Sequence, residues 1–261
     1  MIDLHCHILP DIDDGPDDIG EALAMARLAE ADGVQQIAAT PHFTDDYWPE
    51  PEAVRARLEG LRRRLAEEGR RVQVLPGGEV FLEADVPARA AAGMLPTLNG
   101  GPYVLVELPM YSPSLPNHAE LVLTQLQAFG LRPIIAHPER CTALRHDPGL
   151  LETLVRRGLL AQLNAGSLSG AYGLEVRRAA RELLRRRLVH IIASDGHDTG
   201  KHHASLARAA QEAAGVVGRE EALAMASTVP AAILAGQRVA VPEPVAPAGR
   251  GWSFWSRRRE G

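Results

Sequence analysis

Lysine, cysteine and long apolar runs are scarce in this chain, and each scarcity excludes something. Lys201 is the only lysine among 28 basic residues. A Schiff-base or P-loop lysine would have to be that residue, and neither motif surrounds it. Cys6 and Cys141 are the only cysteines. Two make no disulfide framework and fit a reducing compartment. No apolar run reaches the ~18 to 20 residues that a membrane helix needs. No basic n-region with a signal-type apolar core opens the chain, so a cytoplasmic protein is expected. No GxGxxG sequence follows an apolar run, which removes the commonest dinucleotide sites. The net charge of −5 argues against general nucleic-acid binding.

What remains is a chain of 261 residues and 46% hydrophobic content, enough for one sizeable core. Apolar β-type runs are predicted at residues 2–5, 35–40, 71–75, 103–108, 132–136, 160–164 and 189–193. Runs such as YVLVEL and HIIAS lack polar alternation, as parallel strands covered on both faces do. Helical patterns fill the intervals, the first over residues 19–32 with Asp17 and Asp18 ahead as cap and dipole partners. Repeated β-α units imply right-handed crossovers and a parallel sheet. The expected fold is α/β, a single-domain distorted (β/α)7 TIM-like barrel over residues 1–238. An open doubly wound sheet is the alternative. Residues 239–261 read as a Pro/Ala/Gly-rich linker and a tail of three aromatics before three arginines. That tail suits either a frayed end or a short anchor for an acidic surface.

The strand ends carry the chemistry. The first ends in His5-Cys6-His7, with Asp14 seven residues on in an Asp-Asp-Gly turn. The others lead to His42, Glu79, Glu107, His137 and the pair Asp195 and His197; the sixth, ending near Asn164, has no obvious ligand. Alternation along an extended segment points His5 and His7 one way and Cys6 the other. In a parallel barrel all these ends lie on one rim, where active sites are built. Nine His, Asp and Glu side chains are too many for one cation and about right for three. Mixed nitrogen and oxygen donors suit Mn²⁺, Fe²⁺ or Zn²⁺ better than Ca²⁺ or Mg²⁺. Four carboxylates against three divalent ions leave about two positive charges, or one with a bridging hydroxide. A positive pocket on an acidic protein fits a phosphate ester, and Arg140 stands close behind His137 to clamp a phosphate oxygen. Cysteine-based phosphate chemistry needs an arginine six residues past the cysteine. Here Ile12 and Asp147 hold those places.

The segments DLHCHILPDIDDGP, ATPHF, PGGEV, VELP, AHPER and SDGH, in this order, resemble the PHP (polymerase and histidinol phosphatase) superfamily. Within it the chain is similar to the metal-dependent bacterial protein-tyrosine phosphatases of capsule and exopolysaccharide operons. The resemblance implies one metal on His5, His7, Glu79 and Asp195. It implies a second on Glu79, Glu107 and His137, and a third on Asp14, His42 and His197. It further implies Mn²⁺ as the activating ion and a phosphotyrosine substrate on a membrane-linked tyrosine autokinase. The mechanism expected of such a centre is direct hydrolysis by a metal-bridging hydroxide. Two departures stand out. Cys141 follows AHPER where the family often has an aromatic. His202, between Lys201 and His203, stands where the family has a phosphate-binding Arg; Lys201 or a protonated His202 is the candidate replacement. A small-molecule phosphatase such as histidinol phosphate phosphatase, or a non-catalytic kinase-binding scaffold, are the competing readings.

Overall fold

Near-continuous apolar strands need cover on both faces, and this chain supplies it with helices outside and a plug inside. The computed structural model describes residues 1–200 and 205–246. Its strands are Ile2–Cys6 (β1), Gln36–Ala39 (β2), His42–Phe43 (β3), Gln73–Pro76 (β4), Glu79–Phe81 (β5), Tyr103–Glu107 (β6), Arg132–Ala136 (β7), Leu160–Asn164 (β8) and Ile191–Ala193 (β9). Two parallel ladders form, in the order β1-β2-β4 and β3-β5-β6-β7-β8-β9. The ring closes where β9 returns to β1. There Asp195 N–H donates to the His5 carbonyl and His7 N–H to the Gly196 carbonyl, both at 2.8 Å.

β2 and β3 are one strand broken at Thr40–Pro41, because Pro41 has no N–H to give the ladder. β4 and β5 are likewise one strand broken at Gly77–Gly78. A Cβ on Gly78 would lie 2.5 Å from Pro96 Cγ and 2.6 Å from the Phe43 ring, so only glycine fits this approach. Counting each broken pair once gives seven strands, all parallel: the expected (β/α)7 barrel, with two kinked members. The helices sit close to their predicted places. Ile19–Ala31 starts at Asp18, whose carboxylate accepts from Gly20 and Glu21 N–H at 2.7 and 3.0 Å. The short helices Thr142–His146 and Ala165–Ser169 have no counterpart in the sequence reading.

The core is double. The larger cluster fills the layer between strands and helices and includes Cys6, Val80, Val106 and Ile135. The smaller takes the other strand faces, among them Leu4, Leu105, Ile134, Leu160 and Ile191, and is closed by Ile233 and Leu234. This second cluster is the barrel interior, and it leaves the C-terminal strand ends as the polar layer above it. Residues 239–246 run along the other end. Val239 N–H donates to the Tyr103 hydroxyl at 3.1 Å and Val245 N–H to the Arg186 carbonyl at 2.9 Å. Among the described residues no helix is long and apolar enough to cross a membrane.

Candidate metal centre

The interior faces of β1, β3, β5, β6, β7 and β9, with the turns just past them, deliver the polar layer, and local breaks in alternation aim it. Leu4 lies in the interior cluster, so simple alternation would send His5 outward. A bulge between Asp3 and Cys6 shifts the register and turns His5 inward. Asp3 holds the bulge: its Oδ1 accepts from His5 N–H at 3.2 Å and Ser194 N–H at 3.0 Å. His137 has the same problem, following the interior residue Ala136. Its φ of 27° is left-handed and redirects the ring; Asp195 also has a left-handed φ, of 53°. Such backbone costs about 1–3 kcal/mol each and persists only where packing over-determines it.

All nine predicted ligands meet at this rim, in four overlapping groups: His5, His7 and Asp195; His5, Glu79 and His137; His42, Glu79 and Glu107; and His7, Asp14, His42 and His197. Their donor atoms point at one another. His5 Nδ1 donates to Gln162 Oε1 at 3.0 Å and His7 Nδ1 to Asp13 Oδ2 at 2.7 Å, which leaves both Nε2 atoms as lone-pair acceptors. Those two Nε2 atoms are 3.1 Å apart. Glu79 Oε2 lies 3.2 and 3.4 Å from them, and Asp195 Oδ1 3.3 and 3.6 Å. His42 Nδ1 is 3.1 Å from the same Glu79 oxygen, and His137 Nε2 is 3.1 Å from the other. Asp14 stands at the outer edge, 3.6 Å from His42 Nε2 and 3.4 Å from His197 Nε2.

Glu79 is fully buried, yet its Oε2 accepts no hydrogen bond among the described residues. A buried carboxylate oxygen facing lone pairs is unstable without a cation. The donor set therefore fits divalent ions, with nitrogen and oxygen mixed as Mn²⁺, Fe²⁺ and Zn²⁺ accept.

The protonation pattern shows the same crowding. Burial and the neighbouring Glu79 push Glu107 up to about 7. Burial opposes a proton on His137, but its bond to Glu79 and the Asp195 charge raise it to about 9. Burial likewise opposes a charge on Glu79, yet the surrounding imidazoles, His5 foremost, hold it well below the ordinary carboxylate range. In the absence of cations, protons are drawn into the cluster in their place.

Arg140 does not point away from this centre. Its Nη1 donates to Asp195 Oδ2 at 2.6 Å, and its guanidinium lies 4.4 Å from the Tyr172 ring centroid. Lys201 and His202 lie outside the described residues. Cys6 packs in the outer core, and burial raises its thiol well above the ordinary value; burial raises Cys141 too. Neither supplies a thiolate.

Four supporting residues escaped the sequence reading. Asp13 orients His7 and accepts from His42 N–H at 3.0 Å. Gln162 orients His5, while Asn164 Nδ2 donates to Asp195 Oδ2 at 2.6 Å. Glu139, fully buried, accepts from Ser167 Oγ at 2.7 Å and Asn164 N–H at 3.0 Å. The sixth strand, without a ligand of its own, thus carries the partners that aim the ligands. A polar Gln and Asn at alternate positions of an otherwise apolar strand was the signal available.

Comparison with known proteins gives a consistent placement. A family model described as "Capsular polysaccharide synthesis, CpsB/CapC" matches residues 1–235. The chain is 40% identical over 199 residues to the tyrosine-protein phosphatase YwqE of Bacillus subtilis, covering 76% of this chain and 78% of that protein. It is 33% identical over 198 residues to the putative tyrosine-protein phosphatase CapC of Staphylococcus aureus, covering 76% and 77%. A crystal structure from work on YwqE of B. subtilis and CpsB of Streptococcus pneumoniae, described as unique metal-dependent tyrosine phosphatases, superposes with a TM-score of 0.90. It is 35% identical, covering 96% of this chain and all of the other. Matched along most of its length by that family model and by two relatives above 30% identity, the chain belongs to the CpsB/CapC family of capsular polysaccharide synthesis.

Proposed function

We propose that the protein is a metal-dependent protein-tyrosine phosphatase that hydrolyses phosphotyrosine on a membrane-linked tyrosine autokinase, acting in the cytoplasm in capsule or exopolysaccharide regulation. The observation that carries the chemistry is the convergence of His5 Nε2, His7 Nε2, Glu79 Oε2 and Asp195 Oδ1, with each nitrogen within 3.6 Å of the other three atoms, four buried atoms each able to ligate a cation. The relatives named above supply the substrate class.

In this reading three divalent ions, Mn²⁺ foremost, are held by the nine ligands. His5, His7, Glu79 and Asp195 hold one; Glu79, Glu107 and His137 a second; Asp14, His42 and His197 a third. Bound there, such ions supply positive charge to the phosphate oxygens and lower the pKa of water. The chain's own residues do the rest. Gln162 and Asp13 fix the tautomers of His5 and His7, so both Nε2 lone pairs face the centre. Asp195 anchors Arg140, whose remaining N–H groups bind a phosphate oxygen as charge builds in the transition state. The barrel is assigned to residues 1–238; of the expected linker, residues 239–246 lie hydrogen-bonded against its base, and the tail from 247 to 261 lies outside the described residues. No cysteinyl phosphoenzyme forms, since both thiols are buried and protonated.

The test is hydrolysis of a phosphotyrosine peptide before and after chelation and re-addition of metal. Activity should vanish on chelation and return with Mn²⁺. No turnover with Mn²⁺, Fe²⁺ or Zn²⁺ would overturn the reading. Preference for histidinol phosphate over the peptide would move it to small-molecule chemistry.

A further inference from the structure

The ligand cluster does not sit in a symmetric mouth. On its β7 and β9 side stands a charged group, Arg140 bound to Asp195. On its β3, β5 and β6 side a cavity of about 640 Å³ opens beside Asp14, His42 and Glu107. The walls of that cavity are Tyr47, Phe81, Pro109 and Met110, with Tyr111 at the rim, 86% exposed.

These apolar walls follow from the strands that carry the ligands. Phe81 lies two residues past Glu79 on β5, so the two side chains share a face. Phe81 also pairs with Glu107 across the ladder, which sets its ring beside that carboxylate. Pro109, Met110 and Tyr111 continue the chain just past Glu107 at the end of β6. The walls are pinned from behind. The Met110 carbonyl accepts from Thr142 N–H at 2.8 Å and from the Thr142 hydroxyl at 2.9 Å. The Tyr47 hydroxyl donates to the Ile12 carbonyl. The polar side chains along the walls are engaged elsewhere: Ser112 donates to the Ser114 carbonyl at 2.6 Å, and the Thr44 hydroxyl accepts from Tyr47 N–H at 3.1 Å.

A phosphate ester placed on the cluster thus has its anionic end among cations and its carbon end against an apolar, pre-held wall. We propose that Phe81, Met110 and Tyr111 seat the phosphorylated aromatic ring of the substrate and select aryl over alkyl phosphate esters. This deepens the phosphatase reading and rests on it. A planar ring covers Phe81 and Met110 and stacks on Tyr111. A short alkyl phosphate leaves these apolar side chains wet.

Calorimetry on the metal-loaded full chain tests this with benzylphosphonate, methylphosphonate and inorganic phosphate as probes. Benzylphosphonate should bind about tenfold or more tighter than methylphosphonate. Phe81→Ala combined with Met110→Ala should erase most of that preference while leaving phosphate binding within about twofold. Tyr111→Ala, at a side chain outside the core, should lower the preference about threefold even if the double variant fails to fold. Equal affinity for the two phosphonates in the unaltered protein, or a preference untouched by Tyr111→Ala and by any folded Phe81 and Met110 variant, overturns the proposal. Phosphotyrosine turnover is measured beside it. Turnover with no aryl preference sinks only the ring seat, whereas aryl preference with no turnover sinks only the phosphatase reading.

Discussion

His137 and His190 are the same residue, equally buried at 3% and 5% exposure, at opposite ends of the barrel. Burial alone should push both toward the neutral form. At the base it does: His190 falls to about 4, with burial the cause. Its Nδ1 accepts from Ala161 N–H at 3.1 Å, and its Nε2 has no hydrogen-bond partner among the described residues. At the rim Glu79 and Asp195 outweigh burial and His137 rises to about 9. A buried histidine is therefore not a site by itself; what distinguishes the rim is surplus carboxylate. The base is a closed apolar plug, whereas the rim is a carboxylate-rich cluster that draws positive charge.

The largest expected effect comes from removing the carboxylate that makes the rim different. Glu79→Gln keeps the shape but loses the charge shared by His5, His7, His42 and His137. Activity should fall about 1000-fold or more, with loss of bound metal measured by elemental analysis. His5→Ala with His7→Ala should abolish activity and strip metal too, while circular dichroism shows the fold retained.

At the base the effect is on stability, and its sign follows from the direction of the shift. The folded pKa of His190 is lowered, so the folded imidazole stays neutral where the unfolded chain takes a proton. Its contribution is whole above about 6.5 and is lost as pH falls from there to about 4, up to roughly 3 kcal/mol. Denaturant unfolding of His190→Gln beside the unaltered protein should show a flatter decline over this window, with activity at pH 7.5 unaffected. An equally steep decline would show that burial at the base is not what holds His190 neutral.

A smaller loss should follow from Asp13→Asn, which keeps the ligands but frees the His7 ring. About 10- to 100-fold in metal affinity or activity is the usual cost of such a partner. The smallest effect belongs to the thiols. Cys6→Ala should cost about 1 kcal/mol in thermal stability and leave turnover intact, since the thiol faces the outer core.

Much of this was legible in the sequence because parallel strands announce themselves as apolar runs and their ends as breaks in those runs. All nine candidate ligands stood at or just past such breaks. Less legible were the devices that aim them. Alternation relates His5 to His7 correctly but fails at Leu4, because a bulge is a backbone event that no side chain names. His137 is turned inward by its own φ, equally silent in the chain. Asp13 and Asp14 are neighbours of identical chemistry; the resemblance grouped Asp14 with His42 and His197, but only the fold shows that Asp13 orients His7. Gln162 and Asn164 passed unnoticed because neither is a usual metal ligand; their work is done through His5 and Asp195. Gly15 belongs with them: a Cβ there would strike the His7 carbonyl oxygen, which is why the Asp-Asp turn ends in glycine.

The central claim is that the acceptor atoms at the rim are arranged for cations. Anomalous diffraction from crystals loaded with Mn²⁺ tests it most directly. The account predicts peaks between His5 Nε2, His7 Nε2, Glu79 and Asp195, and beside Glu107 and His137. Fully ordered crystals with no peak among these residues, and the cluster held by hydrogen bonds alone, would contradict it.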